Sequence, residues 1–327
     1  MKQITILVPD GQVNMGTIAT IVGALEIFTE ANSYQRRNGK EKSYKVVTAG
    51  VSQKVGFSKG LITLEPEVNI SAIKKSDLII VPPSSIRNDT DIESGNKAII
   101  EWIENQYKLG AEIASMCSGA FMLAASGVLN GKTCSTHWVH ADTFRKSFPE
   151  VNLQDNKLIT AESGIYTNGG AYSFLNLVIF LVEKYYDKET AIYCSKIFQV
   201  EIERNSQSAF AIFSGHKKHS DDDILKAQSY IETNYTDKIS IEFLSSKFSI
   251  GRRNFDRRFI KATGITPLDY LQRVKIEAAK KSLESTRKTV HEVMYDVGYN
   301  DVKAFREVFN RVTGMSPVDY KARYNQV

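Results

Sequence analysis

Apolar residues in the first two thirds of the chain alternate between short continuous runs and stripes spaced three or four apart. Gln3 to Val8 is a short apolar strand stopped by Pro9-Asp10-Gly11. Thr17 to Ala31 carries Ile18, Ile21, Val22, Leu25 and Phe28 at helical spacing. Tyr44 to Ala49 and Asp77 to Val81 are further buried-type strands, the second closed by Pro82-Pro83. A helix over Asn96–Leu109, a strand over Ala111–Met116 and a helix through Phe121–Ala125 follow. Such alternation predicts a parallel sheet covered by helices on both faces. Ala171 to Tyr185 is a long apolar helix that closes this domain. Residues 186–220 are helical and then polar, and 214–223 (SGHKKHSDDD) read as a solvated linker. The expected division is 1–195, a connector over 196–222, and a second domain over 223–327.

Beyond Asp223 no strand is expected, and the chain repeats itself at an offset of 50 residues. Glu242 matches Glu292, Phe255 matches Phe305, and Phe259 matches Phe309. Thr263-Gly264, Pro267, Asp269-Tyr270 and Arg273 recur as Thr313-Gly314, Pro317, Asp319-Tyr320 and Arg323. Each copy reads as a short helix (Ile241–Lys247; Val290–Val297), a tight turn and a second helix (about Gly251–Ala262; Asp301–Val312). Glycine after each second helix suits the left-handed position that ends helices. This is helix-turn-helix grammar, so the second domain is all-α.

Composition narrows the class. Hydrophobic residues are 42% and charged residues 24%, ordinary for a globular protein. No run of about 18 apolar residues occurs, and the start lacks signal-peptide architecture, so no membrane partner is expected and a cytoplasmic location is. Three scattered cysteines, Cys117, Cys134 and Cys194, make neither a disulfide framework nor a zinc site, and no metal or cofactor is expected. Residues 221–327 hold 19 Lys and Arg against 15 Asp and Glu, four of the chain's five net positive charges. That excess fits nucleic acid only if it is well placed.

The second helices carry the placement. Phe255, Phe259 and Ala262 share one stripe in copy one; Phe305, Val308, Phe309 and Val312 share it in copy two. Arg252, Arg253, Asp256 and Arg257 lie off the first stripe, and Val302, Lys303, Arg306 and Glu307 off the second. An arginine on the first turns of such a helix grips a guanine edge with two parallel donors, and Asp256 could accept from a cytosine amino group. In the first domain, Cys117 stands at a strand-to-helix elbow, at the carboxyl end of a strand where open α/β sheets bind ligands. His137 lies downstream in TCSTHW, so a Cys-His pair is conceivable.

Two family resemblances sharpen this picture. SIGRRNFDRRFIKATGITPLDYLQRVKIEAAKKSLE followed by VHEVMYDVGYNDVKAFREVFNRVTGMSPVDY resembles the AraC/XylS-type DNA-binding domain over Ile239–Tyr324. That likeness implies two helix-turn-helix units joined by a helix over Pro267–Glu284, with the recognition helices in major grooves about one helical turn apart. By position it implies DNA contacts at Arg252, Arg253 and Arg257, then Val302, Lys303 and Arg306. Glu307 departs from the family's frequent basic residue.

MCSGAFMLAASGVLNGKTCSTHW, with Asn168-Gly169-Gly170-Ala171, resembles the PfpI-like, class I glutamine amidotransferase-like fold over about residues 3–185. Together the halves resemble the GlxA group of transcriptional regulators: a flavodoxin-like α/β sensor before an all-α double helix-turn-helix domain. Three departures argue against catalysis. Ser118 replaces the histidine that often follows the cysteine. Pro82-Pro83 replace glycines, and proline has no N–H for an oxyanion. Thr20 stands where an acid is expected, with Asn14 and Glu26 nearby. The resemblance therefore implies a pocket lined by Cys117, Ser118, His137, Trp138, Pro83 and Ser84 for a small-molecule effector. Trp138 could face a cationic amine. Double-stranded DNA is the expected partner, with homodimerisation implied and RNA polymerase a candidate. The rival readings are a Cys-dependent amidase or hydrolase and a regulator switched by oxidation of Cys117.

Overall fold

Alternate residues of Gln3–Val8 (β1) serve two different cores. The computed structural model, which describes residues 2–11, 14–57, 60–84, 96–202, 206–217 and 219–325, turns Ile4, Ile6 and Val8 into one apolar layer and Leu7 into the other. The same division recurs in Leu78–Val81 (β6), where Leu78 and Ile80 face one way and Ile79 and Val81 the other. Strands buried on both faces read as continuous apolar runs for this reason. The chain divides into two compact units, 1–207 and 208–327.

In the first unit Lys45–Gly50 (β2), two short ladder strands Val55–Phe57 and Ile62–Leu64 (β3, β4) and Val68–Asn69 (β5) precede β6. Glu112–Met116 (β7), a small parallel pair Thr133–Cys134 and Asn152–Leu153 (β8, β9), and the hairpin Ile159–Glu162 and Ile165–Asn168 (β10, β11) follow it. The main sheet runs β10-β11-β7-β6-β1-β2-β5, parallel except for β10 against β11. Helices Met15–Arg37 (α1), Lys97–Lys108 (α2), Gly119–Ala125 (α3), Ala141–Ser147 (α4), Phe174–Tyr185 (α5) and Lys188–Ile197 (α6) cover it. Residues of α1, α5 and α6 join one core, and residues of α2, α3 and α4 the other. The antiparallel edge was not expected from the sequence. Ser163 (φ +52°) and Gly164 (φ +75°) make the two-residue turn with left-handed backbone that reverses the strand.

The second unit contains Asp222–Asn234 (α7), Ile241–Lys247 (α8), Arg252–Thr263 (α9), Pro267–Ser285 (α10), Val290–Asp296 (α11), Val302–Thr313 (α12) and Pro317–Tyr324 (α13). The 50-residue repeat becomes two matching cores. Phe255 lies 5.7 Å from Phe259, which lies 5.3 Å from Tyr270. Phe305, Phe309 and Tyr320 repeat this at 5.7 and 5.4 Å. Gly264 (φ +79°) and Gly314 (φ +76°) end α9 and α12 in the left-handed region. Thr263 and Thr313 each donate a hydroxyl to the carbonyl four residues back, at 2.8 Å.

The stretch read as a solvated linker is instead docked on this second unit at Gly215, His219 and Asp221. Gly215 O accepts from Gln228 Nε2 and the Tyr270 hydroxyl. His219 Nε2 meets Gln228 Oε1 at 3.0 Å. Asp221 caps α7 and pairs with Arg258. Polar residues concealed the docking, because partners from distant helices satisfy them.

Asp269, on the first turn of α10, receives Arg273 Nε at 2.8 Å and Arg311 Nη1 of α12 at 2.7 Å. Burial pushes its carboxyl up, but the two guanidiniums outweigh this and hold it below the usual carboxylate range. Its stabilising share is complete above the unfolded value near ~3.9 and is lost as pH falls through the lower folded value. Asp269→Asn is therefore expected to cost about 1–2 kcal/mol in urea unfolding at pH 7. The gap from wild type should narrow as pH is lowered towards 2. A gap that stays constant with pH would refute this account.

Candidate functional site

The first turns of α9 and α12 carry the residues expected to meet DNA. Burying Phe255 and Phe259 turns the opposite face of α9 outward, which leaves Arg252, Arg253 and Arg257 exposed. Arg252 is engaged by Glu242 of α8 and by Asp256 at 3.2 Å. Arg257 Nη2 donates to Asn254 Oδ1 at 2.9 Å. Arg253 has no hydrogen-bond or ion-pair partner among the described residues. On α12, Val302 is half-buried, and exposed Lys303 and Glu307 stand 4.0 Å apart. Arg306 is exposed and, among the described residues, has no ion-pair or hydrogen-bond partner.

Arg258, one residue beyond Arg257, does something else. Its guanidinium donates to both Asp221 oxygens, at 2.9 and 2.6 Å, and to Asp223 at 2.9 Å. It clamps α9 to the start of α7. Sequence reasoning missed Arg258, Asp269 and Arg311. For Arg258 the signal was present as a break in the repeat, since it corresponds to Val308; Asp269 and Arg311 have like-charged counterparts in Asp319 and Lys261 and gave no such signal. A charge on one copy alone marks a contact between elements rather than the shared core.

The elbow in the first unit is built from strand ends. Cys117 follows β7 with φ +55°, a conformation unusual for a residue with a side chain, and is nearly buried. Its N–H donates to Asn168 O of β11 at 3.0 Å. Its carbonyl accepts from Thr136 Oγ1 at 2.9 Å. Gly119 allows the turn, since a Cβ there would lie 2.6 Å from Val81 O and 2.7 Å from Pro82 O. Ser118 Oγ donates to Ser84 O at 3.0 Å, and Thr17 Oγ1 to Pro83 O at 2.9 Å. Pro83, Ser84, Cys117 and Ser118 are thus brought together.

His137 and Trp138 reach this group through Thr136. The His137 ring accepts from Val139 N–H through Nδ1 at 3.2 Å, and burial lowers its pKa. Its ring centre lies 5.6 Å from that of Trp138 and 6.0 Å from that of His140. Thr20 is buried, and its hydroxyl has no partner among the described residues. Asn14 is occupied as the N-cap of α1, and Glu26 is exposed. Neither supplies a buried acid. No helix among the described residues is long and apolar enough to cross a membrane.

Comparison with known proteins agrees with both halves. The DJ-1/PfpI family matches residues 14–179, and the helix-turn-helix domain family matches residues 244–323. The chain is 23% identical over 221 residues to the HTH-type transcriptional regulator GbdR of Pseudomonas aeruginosa (strain UCBPP-PA14), covering 67% of this chain and 60% of GbdR. It is 22% identical over 222 residues to the HTH-type transcriptional regulator GlxA of Rhizobium meliloti (strain 1021), covering 66% of this chain and 67% of GlxA. The chain thus spans about 60% of the length of GbdR. A crystal structure from Vibrio parahaemolyticus, provisionally classed as a transcriptional regulator, superposes with TM-score 0.52 at 21% identity, covering 60% of this chain and 98% of that one. That likeness bears on the fold alone. The elbow at Cys117, the mostly parallel sheet that holds it and the match over 14–179 lead to one conclusion: this chain belongs to the DJ-1/PfpI family and continues into an AraC-type helix-turn-helix domain.

Proposed function

We propose that the chain is a sequence-specific DNA-binding transcriptional regulator whose first unit senses a small metabolite. The observation that carries the reading is the duplicated helix-turn-helix. Each copy buries its aromatic stripe and presents basic side chains outward: Arg253 and Arg257 on α9, Lys303 and Arg306 on α12. Arg253 and Arg257, at i and i+4, lie on one face and read base edges in this proposal. Arg252, already held by Glu242 and Asp256, orients the helix or meets phosphate. Val302 contacts a thymine methyl.

In the first unit the pocket of Cys117, Ser118, His137, Trp138, Pro83 and Ser84 binds the effector without turnover. Double-stranded DNA and this effector are the partners, and the chain acts as a homodimer. Effector binding shifts the population between arrangements that differ in DNA affinity.

A second reading, a Cys-dependent hydrolase, draws support from the left-handed Cys117. Against it, Pro82 and Pro83 offer no N–H, and the Cys117 N–H is committed to Asn168.

The test is to capture sheared DNA from the source genome with the full chain at two salt concentrations and sequence it. A few fragments sharing one sequence, retained at the higher salt, are expected. Diffuse capture that vanishes with salt would mean electrostatic binding alone and would overturn the regulator reading.

A further inference from the structure

Within the second unit, the segment ahead of α7 joins the two helix-turn-helix copies from outside. The turn Ser208–Phe210 lies against α12. Arg323 of α13 lies 5.1 Å over the Phe210 ring, and Tyr324 meets that ring edge-on at 6.3 Å. Tyr324 lies 4.6 Å from Tyr320, which lies 5.4 Å from Phe309 of α12. Three residues after Phe210, the Phe213 ring lies 5.1 Å from Tyr270, which lies 5.3 Å from Phe259 of α9. Tilted and edge-on ring pairs at such separations attract one another. Aromatic contacts thus run from one reading helix, through Phe210 and Phe213, to the other.

The linking helix α10 holds the middle of this segment. Lys280 is nearly buried, donates to Ala211 O at 2.5 Å and pairs with Glu277 at 2.9 Å. Glu277 also accepts from Phe213 N–H at 3.2 Å. At the far end, Gly215 O accepts from the Tyr270 hydroxyl at 3.1 Å and from Gln228 Nε2 at 2.6 Å. Gly215 has φ +86°, and a Cβ there would lie 2.7 Å from the Tyr270 hydroxyl oxygen and 2.9 Å from Glu232 Oε1. Between Tyr270 and Lys280 the helix rises about 15 Å. Residues 211–215 reach about 14 Å when extended. Their length therefore matches the stretch of α10 to which they are bonded.

We propose that residues 210–215 form a strap that fixes the separation of α9 and α12, so that the protein selects DNA by the spacing of its two half-sites as well as by their bases. One base pair added between half-sites moves the second by about 3.4 Å along the duplex and about 35° around it. A rigid pair of readers rejects that shift, and a loose pair tolerates it. Arg311 on Asp269 and Gly298 against Thr236 also join the halves. Those ties reach α12 and the turn before it, whereas the strap grips α13. Phe210 is a positioning residue. The consequence for DNA rests on the regulator reading above; the effect on the separation of the helices does not.

The test first uses the full chain without DNA. Nitroxide labels are placed at Lys261→Cys on α9 and Asn310→Cys on α12, both exposed positions. Their distance distribution is measured by pulsed electron paramagnetic resonance, with the labelled chain diluted in excess unlabelled chain. The native cysteines are buried, and the chain carrying them without the added pair serves as the blank. Phe210→Ala is expected to widen the distribution about twofold or more. Gly215→Ala, which pushes the strap away at its other end, should do the same. Phe210→Tyr keeps the ring and should keep the wild-type width. Phe210 is 37% exposed, so the melting temperature of Phe210→Ala should stay within a few degrees of wild type. On a captured fragment, one added base pair between half-sites should cost wild type about tenfold or more in affinity, and Phe210→Ala about threefold or less.

Unchanged width in both Phe210→Ala and Gly215→Ala would overturn the strap. A uniform loss of affinity at every spacing, with the wild-type penalty for the added base pair intact, is what a merely structural role gives and would overturn spacing selection. The distance measurement does not depend on DNA. A chain that shows the widening yet captures no specific fragment keeps the strap and loses the regulator reading, and spacing selection with it.

Discussion

Arg253→Ala and Arg257→Ala together are expected to weaken binding to a captured DNA fragment by about 2–6 kcal/mol, roughly thirtyfold to more than 10⁴-fold. Each arginine accounts for about 1–3 kcal/mol if it grips one base. The single variants should relax sequence preference at different positions of the site. Loss of phosphate contacts would look different, with a uniform drop across sequences and a shallower salt dependence.

Both side chains are exposed, and among the described residues their one hydrogen bond runs from Arg257 to Asn254 on the same helix. The double variant should therefore melt like wild type. Arg258→Ala provides the contrast. It breaks the clamp to Asp221 and Asp223, so it should lower the melting temperature and weaken DNA binding only indirectly. Fluorescence anisotropy with matched and single-base-changed duplexes separates these outcomes. Unchanged affinity and unchanged preference in the double variant would remove α9 as a reader.

The repeat was legible because its chemistry is local. Thr-Gly-x-x-Pro states a helix end, a left-handed residue and the next helix start in one line of sequence, and Gly264 and Gly314 occupy that conformation. The Phe stripes at i and i+4 give the buried face directly. The Cys117 elbow was legible as a strand running into small residues. What the sequence hid were partners far apart in the chain. Gln207 looks like any polar connector residue, yet its side chain is buried against Gly169 and donates to Thr136 O.

The tight turns show the same limit. Each copy places a left-handed residue two positions after its first helix, Ser249 (φ +53°) and Gly298 (φ +77°), but only the second copy uses glycine there. The glycine is there because of a neighbour that no local pattern announces.

That neighbour gives the second large effect. At Gly298 a Cβ would stand 2.3 Å from Thr236 O and 2.8 Å from Lys275 Nζ. Thr236 lies between α7 and α8, and a carbonyl there cannot move without its chain. Lys275 is nearly buried on α10, donates to Gly298 O at 3.1 Å and lies 5.3 Å over the Tyr299 ring. Gly298→Ala therefore meets two penalties. Left-handed backbone with a side chain costs about 1–2 kcal/mol, and forcing a methyl into filled space costs about 1–3 kcal/mol. A loss of about 2–5 kcal/mol in urea unfolding is expected. Gly264→Ala isolates the first penalty, since its φ is +79° but nothing lies within 4 Å of its Cβ. It should cost only about 1–2 kcal/mol. The difference between the two measures the contact where the second helix-turn-helix presses on the chain leading into the first. Prying that contact apart changes the spacing of α9 and α12, so Gly298→Ala should also weaken binding to a two-groove DNA site more than Gly264→Ala does. Equal losses at the two glycines would mean that Thr236 yields, and that the spacing of the two readers is not set there.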